Sequence, residues 1–219
     1  MRGLYAITPE TPDTSELIEQ VRAAIAGGAA AVQFRSKCVA RDTVRTQAEA
    51  LRAIARATGT LFIVNDNIEL ALSVGADGVH IGRDDGDASD VSRIRERCAQ
   101  RMPRLSSAPF MIGVSCYNEL SRAESAVAAG ADYIAFGSFF ASPTKPHAAK
   151  ADVALIRAAK AQFNVPVVAI GGITIDNAQP LISADVDMLA VITSLFDACD
   201  IEQRAREFTN LFKSGNHVR

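Results

Sequence analysis

Short apolar runs alternate with longer segments of mixed polarity along most of the chain. Runs that few polar residues interrupt are typical of strands whose two faces are both covered by other elements. The pattern therefore predicts the strands of a parallel sheet, at 4–7, 31–34, 61–64, 78–81, 110–114, 133–136, 167–170 and 188–192.

The segments between these runs show helical periodicity. The segment from Ser15 places apolar residues at positions 17, 18, 21 and 25, on one face of a helix. Eight strands that alternate with helices favour a single-domain (β/α)8 TIM barrel over residues 1–213, with a polar tail at 214–219. A doubly wound open sheet is the alternative, but the chain has no GxGxxG motif to support it. The other predicted helices cover 41–57, 68–72, 90–100, 118–129, 152–163 and 201–212.

The turns into several strands resemble one another, as in "VGADGVH", "AGADYIA" and "SADVDML". Each places Gly or Asp just after a helical segment, where a left-handed cap is common. This weak internal repeat agrees with a fold built from similar strand–helix units.

Composition narrows the class of protein. The chain has 219 residues, 48% hydrophobic and 22% charged, as in ordinary globular proteins. The net charge of −2 gives no basic footprint for nucleic acid. No apolar stretch approaches the roughly 18 residues that cross a bilayer, and "MRGLYAITPE" is not a signal peptide. The four cysteines form no CxxC pair, which indicates reduced thiols, so we expect a soluble cytoplasmic protein.

In a barrel, the chemically active residues follow the carboxyl ends of the strands. After the second strand, "VQFRSK" places Gln33, Arg35 and Lys37 at alternate positions, which share a face of a strand. An unpaired buried charge is costly, so this trio suggests an anion site. The alternative is that the two cations simply leave the barrel into solvent.

Acidic residues follow the third and fourth strands. Asp66 in "VNDN" could cap the next helix, with Glu69 completing a capping box. Asp84 and Asp85 could be ordinary loop acids. Because these strands are neighbours in a barrel, Asp66 and one of the pair can also face one point near Arg35. Mg²⁺ binds one or two carboxylates together with substrate phosphate oxygens, so the sequence predicts a magnesium site here.

The fifth and sixth strands are followed by hydroxyl groups and a lysine. Ser115 stands in "GVSC", and the long loop "FGSFFASPTKP" contains Ser142, Thr144 and Lys145. The "SPTKP" segment could be an ordinary surface turn, but Thr and Lys together suit a phosphate oxygen. A loop of this length at a barrel mouth could close over a bound substrate.

The last two strands end in small residues. Gly171 and Gly172 in "AIGGIT" allow the backbone to approach an anion closely, and "VITS" supplies the amides of residues 192–194. Loops after strands 7 and 8 form a recurrent phosphate site of this fold. The chain thus predicts two anion sites, one cationic and metal-assisted, the other built from neutral backbone groups.

The histidines give little support to covalent or zinc chemistry. His80 lies within a strand, where packing in the barrel is the expected role, whereas His147 and His217 lie in a loop and in the polar tail. No Ser/His/Asp or Cys/His spacing and no His/Cys cluster is visible.

The motifs together resemble the thiamine-phosphate synthase (thiamine monophosphate pyrophosphorylase) family. The resemblance runs from "LYAIT" to "VITS" and includes "QFRSK", "VNDN", "ADGVHIG", "GVS", "PTK" and "AIGGIT". It implies a Mg²⁺-dependent transferase that joins 4-amino-5-hydroxymethyl-2-methylpyrimidine diphosphate to 4-methyl-5-(2-phosphooxyethyl)thiazole. The products would be thiamine monophosphate and pyrophosphate, formed by a dissociative substitution.

The resemblance also assigns roles to residues. The metal ligands would be Asp66 and Asp85. The residues that hold the thiazole phosphate would be Ser142, Thr144, Gly172, Ile192 and Thr193. The residues that hold the pyrophosphate would be Gln33, Arg35, Lys37, Asn65, Ser115 and Lys145, of which Arg35, Lys37, Ser115 and Lys145 would be catalytic.

Four positions depart from the family pattern. Arg83 stands where the family usually has Gln, and it adds a charge beside the predicted metal loop. Ser142 and Thr193 exchange one hydroxyl residue for another. Tyr117 stands where many relatives carry His, and the related thiazole tautomerase uses a His near this point, so Tyr117 argues against that activity.

Two other functions remain open at this point. A phosphate-anchoring (β/α)8 isomerase would need the last two loops but not the cationic trio, and a non-catalytic relative would bind thiazole or thiamine phosphate as a sensor. The expected partners are small-molecule substrates, with no nucleic acid and no membrane. A homodimer is compatible with the sequence.

Overall fold

The computed structural model describes residues 1–82, 88–101, 109–141 and 151–214. Within these residues the strands are β1 (Gly3–Ile7), β2 (Ala31–Phe34), β3 (Leu61–Asn65), β4 (Gly78–Ile81), β5 (Met111–Tyr117), β6 (Tyr133–Phe136), β7 (Val167–Ile170) and β8 (Met188–Val191). The helices are α1 (Thr14–Ala26), α2 (Arg41–Thr58), α3 (Ile68–Ser73), α4 (Ala88–Arg101), α5 (Leu120–Ala128), α6 (Val153–Gln162), α7 (Gln179–Ser183), α8 (Thr193–Phe196) and α9 (Ile201–Ser214).

The eight strands form one closed parallel barrel. Each strand pairs with the next in sequence, and β8 pairs with β1. This closure confirms the predicted (β/α)8 TIM barrel and excludes the open sheet. The predicted strands are found near their expected bounds, except that β5 continues to Tyr117 through a register shift between Ser115 and Tyr117. The sequence pattern did not predict α7 and α8, and residues 215–219 of the predicted tail lie outside the described residues.

Apolar side chains fill both sides of the barrel wall. Alternate residues of β1 illustrate this, because Tyr5 and Ile7 join a cluster inside the barrel whereas Leu4 and Ala6 join the layer between the strands and the helices. Side chains alternate faces along a strand, so a strand covered on both faces must be apolar at nearly every position. This requirement explains why the strands were readable as continuous apolar runs.

Three aspartates at the amino-terminal end of the barrel make the same set of contacts, which we call carboxylate clips. Asp77 precedes β4, and its Oδ2 accepts hydrogen bonds from the Phe62 amide of β3 at 2.8 Å and from Arg52 of α2 at 3.0 Å. Asp132 and Asp187 repeat this arrangement before β6 and β8. Asp132 accepts hydrogen bonds from the Ile112 amide and from Arg95. Asp187 accepts them from the Val167 amide and from Lys160.

Two predictions for the whole chain can be compared with these residues. All four cysteines lie in the described ranges, and each is a free thiol. Of the helices in the described ranges, none combines the length and the apolar character that crossing a lipid bilayer requires.

Candidate active site

A cavity of about 1050 Å³ opens among the carboxyl ends of the strands and the loops that follow them. This is the end of a (β/α)8 barrel at which active sites are found. The cavity brings together residues from β2, β3 and β5 with residues that follow β7 and β8. The predicted site residues in its lining are Gln33, Arg35, Asn65, Ser115, Gly172, Ile192 and Thr193.

Several predicted site residues cannot be placed against this cavity. The residues that lie outside the described ranges are Asp84, Asp85, Ser142, Thr144 and Lys145, together with Arg83, His147 and His217. Their assigned roles stay predictions.

Gln33, Arg35 and Lys37, the trio predicted after β2, differ in how deeply they are buried. Gln33 is 3% exposed and lies inside the barrel, and Arg35 lines the cavity above it. Lys37 is not among the lining residues, and its side chain is 53% exposed, with Nζ 3.3 Å from Oδ2 of Asp66. Because β2 ends at Phe34, the strand alternation that predicts a shared face does not extend to Lys37.

Glu10, in the loop after β1, stabilises the loop after β2 that carries Arg35 and Lys37. The Glu10 carboxylate accepts hydrogen bonds from the Lys37 and Cys38 amides, both at 2.8 Å, and from the Ser36 hydroxyl at 3.2 Å. Its Oε2 also lies 3.7 Å from Nη1 of Arg35. Partial burial raises the pKa of Glu10, but these hydrogen bonds and the Arg35 charge outweigh it, so the pKa lies below its ordinary value.

Thr8 makes two further hydrogen bonds to the start of this loop, at the end of β2. Its amide donates to the Gln33 carbonyl at 2.9 Å, and its hydroxyl accepts from the Arg35 amide at 3.0 Å. Neither Thr8 nor Glu10 was predicted as a site residue. The polar "TPE" that follows an apolar strand was the available signal, but it names no partner.

Asp66 stands at the end of β3 in a left-handed backbone conformation, with φ of 62°. Its Oδ2 accepts from the Asn65 amide group at 2.5 Å and faces the Lys37 ammonium. The alternative that Asp66 caps the next helix is wrong, because the side chain of Asn67 caps α3 by accepting from the Leu70 amide at 2.9 Å. Glu69 does not complete a capping box and pairs instead with Arg97 of α4.

The chemistry of this corner fits the predicted Mg²⁺. Asp66 supplies a carboxylate that is 21% exposed, and an amide and an ammonium group lie beside it. One or two carboxylates, with water and substrate phosphate completing the shell, suffice for Mg²⁺. Among the described residues no group of three or more His, Cys, Asp or Glu side chains forms a metal cluster of its own. The second predicted ligand, Asp85, lies outside them.

A chain of buried hydrogen bonds crosses the floor of the cavity. The Gln33 side-chain amide donates to the Tyr5 hydroxyl at 2.8 Å, and this hydroxyl lies 2.9 Å from that of Tyr133. The Tyr133 hydroxyl lies 3.1 Å from Nδ1 of His80, whose Nε2 lies 2.9 Å from Oγ of Ser115. We call this set of five side chains the floor relay.

A glycine makes room for the relay. Gly113 of β5 pairs in register with Tyr133 of β6. A Cβ atom at position 113 would lie 1.9 Å from the Tyr133 ring, so only glycine permits that ring to occupy its place inside the barrel. The prediction that His80 is packed in the barrel agrees with its 7% exposure, but the ring also lines the cavity and contacts Ser115.

Burial keeps the relay uncharged at neutral pH. It lowers the pKa of His80 to about 4, so the imidazole is neutral. It also raises the pKa of both Tyr5 and Tyr133, so both phenols keep their protons. The floor of the cavity is therefore a neutral hydrogen-bonding surface.

The loops after β7 and β8 present backbone groups to the opposite side of the cavity. Gly171 and Gly172 have φ angles of 105° and 63°, and a Cβ at Gly172 would lie 2.3 Å from the Ala141 carbonyl oxygen. Asn177 fixes this turn by donating to the Gly172 carbonyl at 2.9 Å. Together with Thr193, the first residue of α8, these residues line this side of the cavity, where Asp197 and Arg204 add two charged side chains that the sequence did not predict.

Tyr117 ends β5 at the cavity wall, with a φ of 55°. Arg122 of α5 lies 5.8 Å above its ring and donates to the Ser115 carbonyl at 2.8 Å. The residue that departs from the family pattern thus lines the site two positions after Ser115, and Arg122 contacts both residues.

A closed (β/α)8 barrel whose cavity lies at the carboxyl ends of its strands and is lined there by polar and charged side chains such as Arg35, Asn65 and Ser115 defines a TIM-barrel enzyme. A family model described as thiamine monophosphate synthase matches residues 4–195. The chain therefore belongs to the thiamine monophosphate synthase family, as the sequence motifs predicted.

Individual relatives support this membership. The thiamine-phosphate synthase of Thiobacillus denitrificans is 50% identical over 210 residues, which cover 96% of this chain and 94% of the relative. That of Methylobacillus flagellatus is 47% identical over 212 residues, covering 97% and 96%. The solved structure of thiamine phosphate pyrophosphorylase from Pyrococcus furiosus shares 32% identity and a TM-score of 0.81, covering 98% of this chain and 96% of its own.

Proposed function

We propose that the chain condenses 4-amino-5-hydroxymethyl-2-methylpyrimidine diphosphate with 4-methyl-5-(2-phosphooxyethyl)thiazole, and releases thiamine monophosphate and pyrophosphate. The observation that carries the proposal is the shared cavity, whose lining joins Arg35, Asn65 and Ser115 on one side to Gly172 and Thr193 on the other. One substrate of this reaction carries a diphosphate that leaves, and the other carries a monophosphate that stays. A site with cationic side chains after β2 and with closely approaching backbone groups after β7 and β8 suits both.

The charged side would hold the diphosphate. Arg35 lines the cavity, and Lys37 lies beside Asp66, the residue that follows the lining residue Asn65, so both cations would meet the charge that develops as the diphosphate leaves. Asn65 and Ser115 add neutral hydrogen-bonding groups. Lys145, which lies outside the described residues, would join them.

Asp66 would hold Mg²⁺ together with Asp85, and the bound ion would neutralise charge on the departing diphosphate. Lys37 would remain close to this carboxylate and share the neutralisation.

The side formed by the loops after β7 and β8 would anchor the thiazole phosphate. The Gly172 turn and the amides at Ile192 and Thr193 can donate hydrogen bonds without adding charge. Ser142 and Thr144, outside the described residues, would complete this side. A substrate that only needs to be positioned requires no strong cation.

The reaction would be dissociative. The exocyclic carbon–oxygen bond of the pyrimidine breaks, its electron pair leaves with pyrophosphate, and the pyrimidine amino group stabilises the cation that remains. The thiazole nitrogen then forms the new carbon–nitrogen bond. Such a reaction needs positioning and charge neutralisation rather than a protein nucleophile, in agreement with the neutral His80 at the floor.

Release of pyrophosphate from the pyrimidine diphosphate tests the proposal, measured with and without thiazole phosphate and with and without Mg²⁺. We expect release that requires both, with thiamine monophosphate formed in equal amount. Isomerisation of a sugar phosphate, or binding of thiazole phosphate without turnover, would contradict the proposal and point to the isomerase or the sensor. A cytoplasmic location is part of the same proposal, and a homodimer stays a prediction.

A further inference from the structure

The floor relay has a direction that can be worked out from its donors and acceptors. Gln33 donates to the Tyr5 hydroxyl, which therefore acts as an acceptor in that bond. Tyr5 is 1% exposed, and among the described residues its hydroxyl has one other hydrogen-bond partner, the Tyr133 hydroxyl. Buried hydroxyl hydrogens are rarely left without an acceptor, so Tyr5 donates to Tyr133.

The same argument continues to the far end. Tyr133 is fully buried, accepts from Tyr5 and has its own hydrogen to place, and Nδ1 of His80 is the acceptor within reach at 3.1 Å. A neutral imidazole carries one proton, so a ring that accepts at Nδ1 carries it at Nε2. His80 then donates from Nε2 to Oγ of Ser115.

This arrangement determines where the hydroxyl hydrogen of Ser115 points. Its oxygen already accepts from His80, so its own hydrogen points away from the ring and toward the cavity that Ser115 lines. With the opposite tautomer, Nε2 would take the Ser115 hydrogen, and the hydroxyl would offer only lone pairs to the cavity. An anionic oxygen is stabilised by the first arrangement and repelled by the second.

We propose that His80 is a positioning residue, which the Tyr5–Tyr133 pair holds in the Nε2–H tautomer so that Ser115 is fixed as a hydrogen-bond donor toward the diphosphate. The identity of the anion rests on the proposed function, whereas the tautomer and the direction of the relay do not. Tyr133 is the point at which to test the relay, because it touches His80 but is not among the residues that line the cavity.

Two measurements on Tyr133→Phe separate the relay from a packing role. The first is nitrogen NMR of the protein labelled at its histidines, with the His80 signals assigned by their loss in His80→Asn. We expect a protonated Nε2 and an unprotonated Nδ1 in the original protein, and a mixture of tautomers in Tyr133→Phe. A protonated Nδ1 in the original protein, or a tautomer that Tyr133→Phe leaves unchanged, overturns the proposal.

The second measurement is a double-mutant cycle with Ser115→Ala. Removal of one donor to developing negative charge typically lowers kcat about 100-fold or more, so we expect a loss of that order for Ser115→Ala and a smaller loss for Tyr133→Phe. If the relay acts through Ser115, adding Tyr133→Phe to Ser115→Ala causes no further loss in kcat. Multiplying losses would overturn the proposal. If the original protein releases no pyrophosphate, the proposed function fails, and the NMR result still decides the relay.

Discussion

The Glu10 carboxylate offers the sharpest functional prediction, because it lies behind the proposed diphosphate site rather than in it. It is 28% exposed and accepts from two backbone amides and a hydroxyl of residues 36–38, while it also faces Arg35. Glu10→Gln keeps the size of the side chain and one acceptor oxygen, but it removes the negative charge. The substitution therefore weakens the hydrogen bonds that order residues 36–38, but it leaves no cavity at position 10.

The magnitude follows from the bonds that Glu10 makes. A hydrogen bond to a charged group contributes about 1.5–3 kcal/mol net, against about 0.5–1.5 kcal/mol for a neutral one. The bonds from the Lys37 and Cys38 amides, both 2.8 Å long, should each lose roughly 1 kcal/mol, and the longer Ser36 bond less. A total of about 2 kcal/mol lowers the equilibrium constant between the ordered and the disordered loop by at most about 30-fold.

A second effect has the opposite sign. Removing a negative charge near Arg35 frees that cation to attract an anion more strongly, so a purely electrostatic role for Glu10 would make Glu10→Gln bind the diphosphate better. We expect loop order to dominate, because two short backbone bonds outweigh one ion pair at 3.7 Å on a partly exposed surface. The predicted result is a 10- to 30-fold fall in kcat/KM for the pyrimidine diphosphate.

Initial rates of pyrophosphate release at saturating thiazole phosphate measure this change. Glu19→Gln, an exposed position on α1, is the matched control and should retain full activity. A kcat/KM that rises in Glu10→Gln would refute the reasoning, since it would show that Glu10 competes with the substrate for Arg35.

The lowered pKa of Glu10 adds a pH dependence with a definite sign. A carboxyl whose pKa is lower in the folded protein than in the unfolded chain stabilises the fold fully above the unfolded pKa, and this contribution is lost as the pH falls through the folded pKa. The original protein should lose more stability on the acid side than Glu10→Gln does. Equal acid unfolding profiles of the two proteins would contradict this.

Three further changes test other parts of the structure. Asp66→Asn should lower kcat more than tenfold and weaken the response to added Mg²⁺, measured by metal titration of the rate, whereas unchanged turnover would remove the metal assignment. Asp187→Asn should lower the free energy of unfolding by about 1–3 kcal/mol in a denaturant titration, because it leaves the partly buried Lys160 without its counter-charge. The control is the exposed Asp185→Asn, which should lower the same free energy by less than about 0.5 kcal/mol. Gly172→Ala should raise KM for thiazole phosphate at least tenfold, because its Cβ would meet the Ala141 carbonyl, and Gly75→Ala, with a similar φ and open space around it, is the control that should leave KM unchanged.

The barrel could be predicted because its strands are buried on both faces. This makes each one a short apolar run, and the helices between them carry an apolar stripe that is just as visible. The helices α7 and α8 have five and four residues, too few for a helical period to appear. The end of β5 was missed for a related reason, since polar residues in "SCY" resemble a loop when the partner strand is unknown.

The candidate site could be predicted in part because one rule, position after a strand, gathers residues from distant parts of the chain. It found Gln33, Arg35 and Ser115, which the cavity brings together. It could not find the contacts of Tyr133 with Tyr5 and His80, because those depend on side chains that meet across the barrel over 128 and 53 residues of sequence. The possibility that Asp66 caps the helix proved wrong because all three residues of "NDN" are of types that cap helices, and sequence alone does not choose among them.

The carboxylate clips have a consequence for how the chain can be rearranged. Each clip joins one helix to the two strands that follow it, so that α2–β3–β4, α4–β5–β6 and α6–β7–β8 are three fastened modules. The segments after β4 and β6 run from one module to the next, and the segment after β2 joins the unclipped unit β1–α1–β2 to the first module, whereas the segments after β3, β5 and β7 lie inside a module. A circular permutant with its new ends after β4 would keep all three clips, and one opened after β3 would separate two strands that a clip holds together. The loops between modules are therefore the places where the barrel can be opened, lengthened or exchanged at least cost to its architecture.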